Sequence, residues 1–234
     1  MPSPTPCNSG EPMIKLVVVF CRRPDLTVAQ FGAHWQQAHA RLVTQLPGLR
    51  RYVQSQTLAS GYRTRTPAID GMTELWFDDT EALREVADSP QLAAVLADET
   101  RFIDAATRRE IVTEDVLIKD GASPPDGVKN IELVHRRPDL TPEAFHRHWE
   151  MVHGPLASTI PQLLRYVQSH TRLSAYRNNR QPVLDGVALT WFTDTAAMRA
   201  SAHTPAYAQT RADEPNFVVE PLDFVITKER EIPL

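Results

Sequence analysis

Arg136-Arg137-Pro138-Asp139-Leu140-Thr141, running on through Phe145, His148 and Trp149 to His153-Gly154-Pro155-Leu156, occurs twice in this chain. The earlier copy is Arg22-Arg23-Pro24-Asp25-Leu26-Thr27, followed by Phe31, His34, Trp35 and His39. The offset is constant, 136 − 22 = 114 and 153 − 39 = 114. It holds into Arg51-Tyr52-Val53-Gln54-Ser55 and Arg165-Tyr166-Val167-Gln168-Ser169. After one inserted residue, Asp70-Gly71 through Trp76-Phe77 match Asp185-Gly186 through Trp191-Phe192, at 191 − 76 = 115. Two copies in register read as a duplicated domain, and two are too few for a solenoid.

Outward from that stretch, each half shows the same order of elements. Ile14 to Cys21 is apolar and β-branched, which predicts a strand covered on both faces. Thr27 with Gln30 three residues on forms a capping box. Phe31, Trp35, Ala38, Leu42 and Leu46 follow at helical spacing until Pro47-Gly48. Strands are predicted over Arg51–Leu58, Met72–Phe77 and Ile111–Ile118. Thr80 is read as the cap of a short helix, and Ser89-Pro90 as the start of another. The second half repeats this, with strands over Lys129–Val134, Arg165–Leu173, Val187–Phe192 and Asp223–Thr227. Its helices open at Thr141-Pro142, ending before Pro161, and at Thr204-Pro205. The order per half is βαββαβ, the ferredoxin-like order, which puts helices on one face of a sheet. The other face still needs cover, and two linked copies supply it sheet against sheet. The expected fold is therefore α+β: two tandem ferredoxin-like domains closing one intramolecular barrel. The expected bounds are 13–119 and 129–234, with 1–12 a disordered tail and 120–128 a linker rich in Gly and Pro.

Composition narrows the function classes. The 234 residues carry a net charge of −4, with no basic block, which disfavours nucleic acid as a partner. No apolar run approaches the roughly 18 residues of a membrane span. The first residues lack the charged and apolar regions of a secretion signal. Two cysteines, Cys7 and Cys21, make no disulfide framework and suit a reducing cytoplasm. His34 and His39 are five apart, about 500° of α-helical rotation, so they are not expected to share a face. No zinc spacing, glycine-rich phosphate loop or nucleophile motif is visible, and neither a metal nor a cofactor is expected.

Arg-Arg-Pro-x-Leu-Thr, Phe-x-x-His-Trp-x-x-x-His, Leu-Pro-x-Leu-x-x-Tyr, Asp-Gly and Trp-Phe together resemble the EthD domain of the dimeric α/β-barrel superfamily. The resemblance covers about Ile14–Ile118 and Lys129–Thr227. It implies a small protein of degradation or polyketide pathways, loosely classed among oxidoreductases. Fungal members look like dehydratases or decarboxylases of aromatic polyketides. The related muconolactone methylisomerases are similar in using a helix histidine and a following strand tyrosine as acid–base groups. Those positions fall here on His39 with Tyr52, and on His153 with Tyr166. The cysteine that the methylisomerases carry before Trp-Phe is replaced by Leu75 and Thr190, which argues against that particular reaction.

The residues themselves allow the same chemistry. His39 and His153 stand four residues after Trp35 and Trp149, at the margin of the apolar stripe, where an imidazole can be tuned for proton transfer. The bland reading is a histidine packed on tryptophan, and for His34 and His148 packing is preferred. Tyr52 and Tyr166 either donate to a developing oxyanion or fill space. Trp35 and Trp149 are expected to line the substrate site, and Tyr176 and Arg177 to reach it from a loop. The halves also differ. Val18 aligns with Glu132, Cys21 with His135, and Glu74 with Leu189. Glu132 interrupts an apolar strand, where a bare carboxylate is costly unless paired or protonated. It shares a face with Val134 and Arg136, opposite Ile131 and Leu133. If that face turns to the helices, a structural pairing would be the expectation for Glu132.

Two unequal cavities are therefore expected, the better one around His153, Tyr166 and Glu132. The leading reading is a cofactor-independent acid–base enzyme of lyase or isomerase type. Its substrate would be apolar, aromatic or polyketide-like, and held in the barrel. The rivals are an oxygen-using or haem-dependent oxidoreductase and a non-catalytic ligand-binding barrel. The assembly expected is an internal pseudo-dimer, with further homo-oligomerisation left open.

Overall fold

The computed structural model describes residues 13–63 and 65–234. The tail expected over 1–12, with Cys7, lies outside them. Half one runs β1 (Ile14–Phe20), α1 (Val28–His34), a π turn (Trp35–His39), α2 (Ala40–Val43), β2 (Leu49–Thr57), β3 (Gly71–Phe77), α3 (Thr80–Ala87), α4 (Pro90–Glu99) and β4 (Arg109–Lys119). Half two runs β5 (Val128–Val134), α5 (Pro142–His148), a π turn (Trp149–His153), α6 (Gly154–Ser158), β6 (Arg165–Thr171), β7 (Gly186–Phe192), α7 (Thr195–Ser201), α8 (Pro205–Asp213) and β8 (Asp223–Ile232).

Local chemistry starts the helices where the sequence places it. Thr27 and Gln30 form both halves of the capping box, and Ser89, Thr141 and Thr204 each accept a backbone N–H at a helix start. One cap differs. Asp79, not Thr80, caps α3, because its carboxylate accepts from the N–H groups of both Glu81 and Ala82. Asp194 does the same for α7. The closing strand β8 runs on to Ile232, well past Thr227, because its far end pairs with β2 of the other half.

That cross-pairing closes the sheet. The strand order is β1-β3-β2-β8-β5-β7-β6-β4, returning to β1. Each half supplies four strands, and β4 and β8 each pair with one strand of their own half and one of the other. Period-two alternation then sorts every strand residue inward or outward. Val17, Val19, Met72, Ile131, Leu133, Leu189 and Val225 pack as one aliphatic cluster inside the barrel. Arg51, Val53 and Ser55 therefore look inward, while Tyr52 and Gln54 look outward to the helices.

One end of the interior is ionic. Lys15 and Lys129 are equivalent by the repeat, 129 − 15 = 114, and both are about 1% exposed. Glu74 accepts from both of them across the axis between the halves. Asp115 takes a second ion pair to Lys15 at 2.8 Å, and Glu229 one to Lys129 at 2.7 Å. The counterpart of Glu74 is Leu189, so a single carboxylate serves both lysines. Burial alone would raise the Glu74 pKa, but the two ammonium groups outweigh it and hold it well below the usual carboxylate range. Its contribution to stability is thus present at neutral pH and is lost only in strong acid.

Two predictions follow from closure. Glu74→Leu leaves two buried ammonium groups short of a partner, and should lower unfolding stability by about 3–5 kcal/mol in chemical denaturation. A truncation ending at Gly121 bares the aliphatic inner face and the open edges of β2 and β4. It should sediment as dimers or aggregates, and a stable monomer would contradict the shared barrel.

Candidate functional site

The repeated motif residues first build a scaffold. Asp70 accepts the backbone N–H of Arg22 at 2.7 Å, its guanidinium and the Tyr62 hydroxyl. Asp185 accepts the Arg136 N–H at 2.9 Å and the Tyr176 hydroxyl at 2.7 Å. The arginine and aspartate motifs thus tie strand ends together. The glycine after each aspartate makes room for tryptophan. A Cβ at Gly71 would lie 2.7 Å from Trp35, and one at Gly186 2.6 Å from Trp149. Gln168 then pins the helix to the sheet, donating to the Trp149 carbonyl at 2.7 Å and to the Tyr166 hydroxyl at 3.1 Å. Gln54 does the same for Trp35 and Tyr52.

The histidines converge in pairs. His34 Nε2 lies 3.0 Å and His39 Nδ1 3.0 Å from Asp98. His148 Nε2 lies 2.9 Å and His153 Nδ1 3.2 Å from Asp213. Five-residue spacing was expected to point these rings apart. The intervening turn is π-helical in both halves, and i→i+5 hydrogen bonding brings residues five apart onto one face. Burial lowers the pKa of both His39 and His153 to about 4, against the raising effect of their aspartates. Both rings are thus neutral at pH 7. A carboxylate only accepts, so Nδ1 carries the proton and Nε2 the lone pair.

The two halves then part. In half two a cavity of about 790 Å³ lies between the outer face of β5, β6 and β7 and helices α6, α7 and α8. Its wall is largely apolar, with Ile160, Phe192, Met198 and Leu222 among the lining residues. His153, Tyr166 and Glu132 all reach it, joined by Asn130, Thr190, Tyr207, Arg211 and Glu214. In half one the aligned residues are Leu16 for Asn130, Val18 for Glu132, Leu75 for Thr190 and Leu92 for Tyr207. Leu16, Leu75 and Leu92 pack with Tyr52, Val43 and Leu46 as core, filling the corresponding space.

This position corrects the expectation of a substrate held inside the barrel, whose interior is occupied by aliphatic side chains and the ion cluster. Glu132 does face the helices, but that side is where the cavity lies. His39 and Tyr52 belong to the filled half. Trp35 and Trp149 are buried beneath the tyrosines, and Trp149 Nε1 donates to the Tyr166 hydroxyl at 3.0 Å. Neither indole lines the cavity. Tyr176 is held by Asp185, and Arg177 is exposed on a loop that also misses it. The loop that reaches the half-two cavity comes from half one, bringing Ser60, Gly61, Arg65 and Pro67. The cause is the exchange of pairing, since β2 lies beside β8 and carries its following loop with it.

Electrostatically the cavity wall is unusual at one point. Burial, reinforced by the charge of Glu132, lifts the Glu214 pKa to about 8. Burial also raises Glu132, opposed by Arg211 and by the amide of Asn130, which donates to it at 3.2 Å. Arg211 bonds Glu214 at 2.8 Å. Tyr166 accepts from two donors, so both its lone pairs are used and its own O–H is left to donate. Burial raises its pKa, with the Glu132 charge adding to the effect. Comparison of the halves at Leu92/Tyr207 and Leu96/Arg211 is the sequence signal that marks two of the residues missed, whereas Glu214 aligns with Glu99 and carries no such mark. Among the described residues no group of three His, Cys, Asp or Glu side chains is placed to hold a metal.

Two ferredoxin-like halves with helices outside a closed eight-stranded sheet define a dimeric α/β barrel in one chain. The EthD domain model matches residues 23–106 and 137–221, and the chain belongs to that family, in tandem copies. No curated protein matches it. Among solved structures, an anthrone oxidase-like protein superposes with TM-score 0.67 at 10% identity, covering 95% of this chain and 94% of that one. A provisionally assigned monooxygenase from Fusobacterium nucleatum gives TM-score 0.63 at 8% identity, covering 95% and 94%. An EthD family protein from Bacillus halodurans is 24% identical over 44% of this chain and 97% of its own, with TM-score 0.37.

The raised carboxyl makes a pH prediction. Glu214 is neutral longer in the folded state than in the unfolded chain, so its contribution is fully present below about 4.5 and lost as pH rises through about 8. Glu214→Gln should flatten the fall in stability across that window, followed by thermal denaturation at stepped pH. An unchanged slope would mean that Glu214 ionises normally.

Proposed function

We propose that half two is a small-molecule enzyme working by proton transfer without a bound cofactor, on an apolar, ring-sized substrate. The observation that carries this is the Glu132–Glu214 pair, two carboxyls raised by burial on an otherwise largely apolar cavity wall. Glu132 has no carboxyl counterpart in half one, which places Val18 there, whereas Glu214 aligns with Glu99, a carboxyl that half one pairs with Arg108 at 2.7 Å. The ionised member of the pair removes a proton from the substrate. The protonated member and the Tyr166 O–H donate to the oxygen on which charge develops. His153, neutral with Nδ1 held by Asp213, offers Nε2 as a second acceptor. The reaction class is dehydration, isomerisation or decarboxylation of an aromatic or polyketide-like compound.

An oxidase reading shares the first step. A substrate anion formed at the same carboxylate would pass electrons to oxygen, and the anthrone oxidase-like neighbour prompts the idea. Oxygen uptake during turnover separates the two.

The test is carbon–hydrogen exchange in D2O, read by mass spectrometry on a panel of anthrones and hydroxylated aromatic ketones. Glu132→Gln and Glu214→Gln should each slow exchange by about 10²–10⁴, the usual loss for a general acid–base group. His153→Ala should cost more than His39→Ala, whose ring faces a filled core. Exchange no faster than in buffer, or equal in wild type and both glutamine variants, would falsify the carboxyl-pair mechanism.

A further inference from the structure

Two arginines both line the half-two cavity and are exposed to solvent, Arg65 and Arg199, which places them at its mouth. Among the described residues neither has a carboxylate partner. Arg65 is nevertheless held. Its guanidinium lies 4.5 Å from the ring centre of Phe224, and Nη2 donates to the Phe224 carbonyl at 3.2 Å. Those contacts orient the charge without neutralising it.

Arg199 shows the same thing through the repeat. Its counterpart is Arg84, 199 − 84 = 115, which is paired with Glu81 at 2.7 Å. The position aligned with Glu81 is Ala196, 196 − 81 = 115, so half two keeps the cation and lacks the carboxylate. Arg211, on the same cavity wall, replaces Leu96, but it is engaged by Glu214 at 2.6 Å. The half that opened its cavity thus also left a cation unpaired at the rim, and half one's loop adds another from across the barrel.

We propose that this site takes a carboxylate-bearing apolar molecule, with its ring body in the cavity and its ionised carboxylate docked by Arg65 and Arg199. The proposal rests on the cavity reading above and deepens it by naming the substrate class. The inner carboxyl pair repels a second anion, so the charges at the two ends orient the substrate. Its neutral, reacting end meets Glu132 and Glu214, and its charged end stays at the mouth. The planar guanidinium fork suits a carboxylate in two-point contact. The substrate site is then complete only with both halves present, because Arg65 comes from half one.

The test compares 2-naphthoate with uncharged 2-naphthamide, titrated by calorimetry into the intact protein at low salt. Naphthoate should bind tighter by about fivefold or more, as expected for partly exposed ion pairs, and the gap should narrow as sodium chloride is added. Arg65→Gln and Arg199→Gln should each shrink the gap while leaving naphthamide binding unchanged. Equal affinity of the two probes for the wild type, or a gap that neither variant moves, overturns the proposal. Naphthamide binding with no preference for the acid sinks this inference alone. If neither probe binds, the cavity reading falls with it.

Discussion

Everything distinctive in this molecule depends on β4 and β8 finding their outer hydrogen-bond partners in the opposite half. A sheet edge left open within each half would expose unpaired backbone groups and an aliphatic face. Crossing over satisfies both needs together. It also decides three other things. It brings Lys15, Glu74 and Lys129 to one axis inside the barrel. It leaves the helices outside, so the largely apolar cavity of about 790 Å³ lies between helix and sheet. And it sets the loop after β2 over the helices of the other half, which is why a half-two cavity has half-one residues at its mouth.

Duplication lets the two halves divide the work. Half one fills the space under its helices with Leu16, Leu75 and Leu92 and contributes a conventional core. Half two places Glu132, Thr190, Tyr207 and Glu214 around the same space. Buried carboxyls of raised pKa cost stability at neutral pH, where desolvation opposes their ionisation. The chain can tolerate Glu132 in one half because the other places Val18 there and the two share one closed sheet. Glu99, the half-one counterpart of Glu214, is also raised by burial but is paired with Arg108. Polar exceptions to local rules of this kind are expected where function, rather than packing, selects the residue.

Much of this was legible in the sequence. The constant offset exposes the duplication, the cap residues place most helix starts, and the βαββαβ order leads to the paired barrel. Glu132 stands out because a carboxylate interrupts an apolar strand. The rest was hidden for physical reasons. Periodicity assumes 3.6 residues per turn, and a π turn at Trp149–His153 rotates the histidines relative to that assumption. Strand alternation separates Glu132 from Ile131 but does not say which face encloses the cavity. Tyr176 and Arg177 are on the loop that follows the strand of Tyr166, and looked close to it. The exchange of strands sends that loop away and brings Arg65 in its place. Glu214 carried no signal in its own segment, because a glutamate near a helix end is ordinary until its neighbours are known.

The His–Asp–His clamp sharpens the assignment of roles. It is present with nearly the same distances in both halves, 3.0 Å for His39 and 3.2 Å for His153. In half one it faces packed core, where it can only bind α1 and its π turn to α4. The motif histidines are therefore explained by packing before any chemistry is invoked, as are the motif tryptophans, glutamines, arginines and aspartates. What packing leaves unexplained is the set that differs between the halves: Glu132 against Val18, Tyr207 against Leu92, Arg211 against Leu96. Each change trades an aliphatic side chain for a polar one on the same wall, and none improves the core. In a duplicated chain the shared residues report the fold, and the unshared ones are where a reaction has to be sought. His153 and Glu214, whose counterparts are His39 and Glu99, join them only because the open half gives them something to meet.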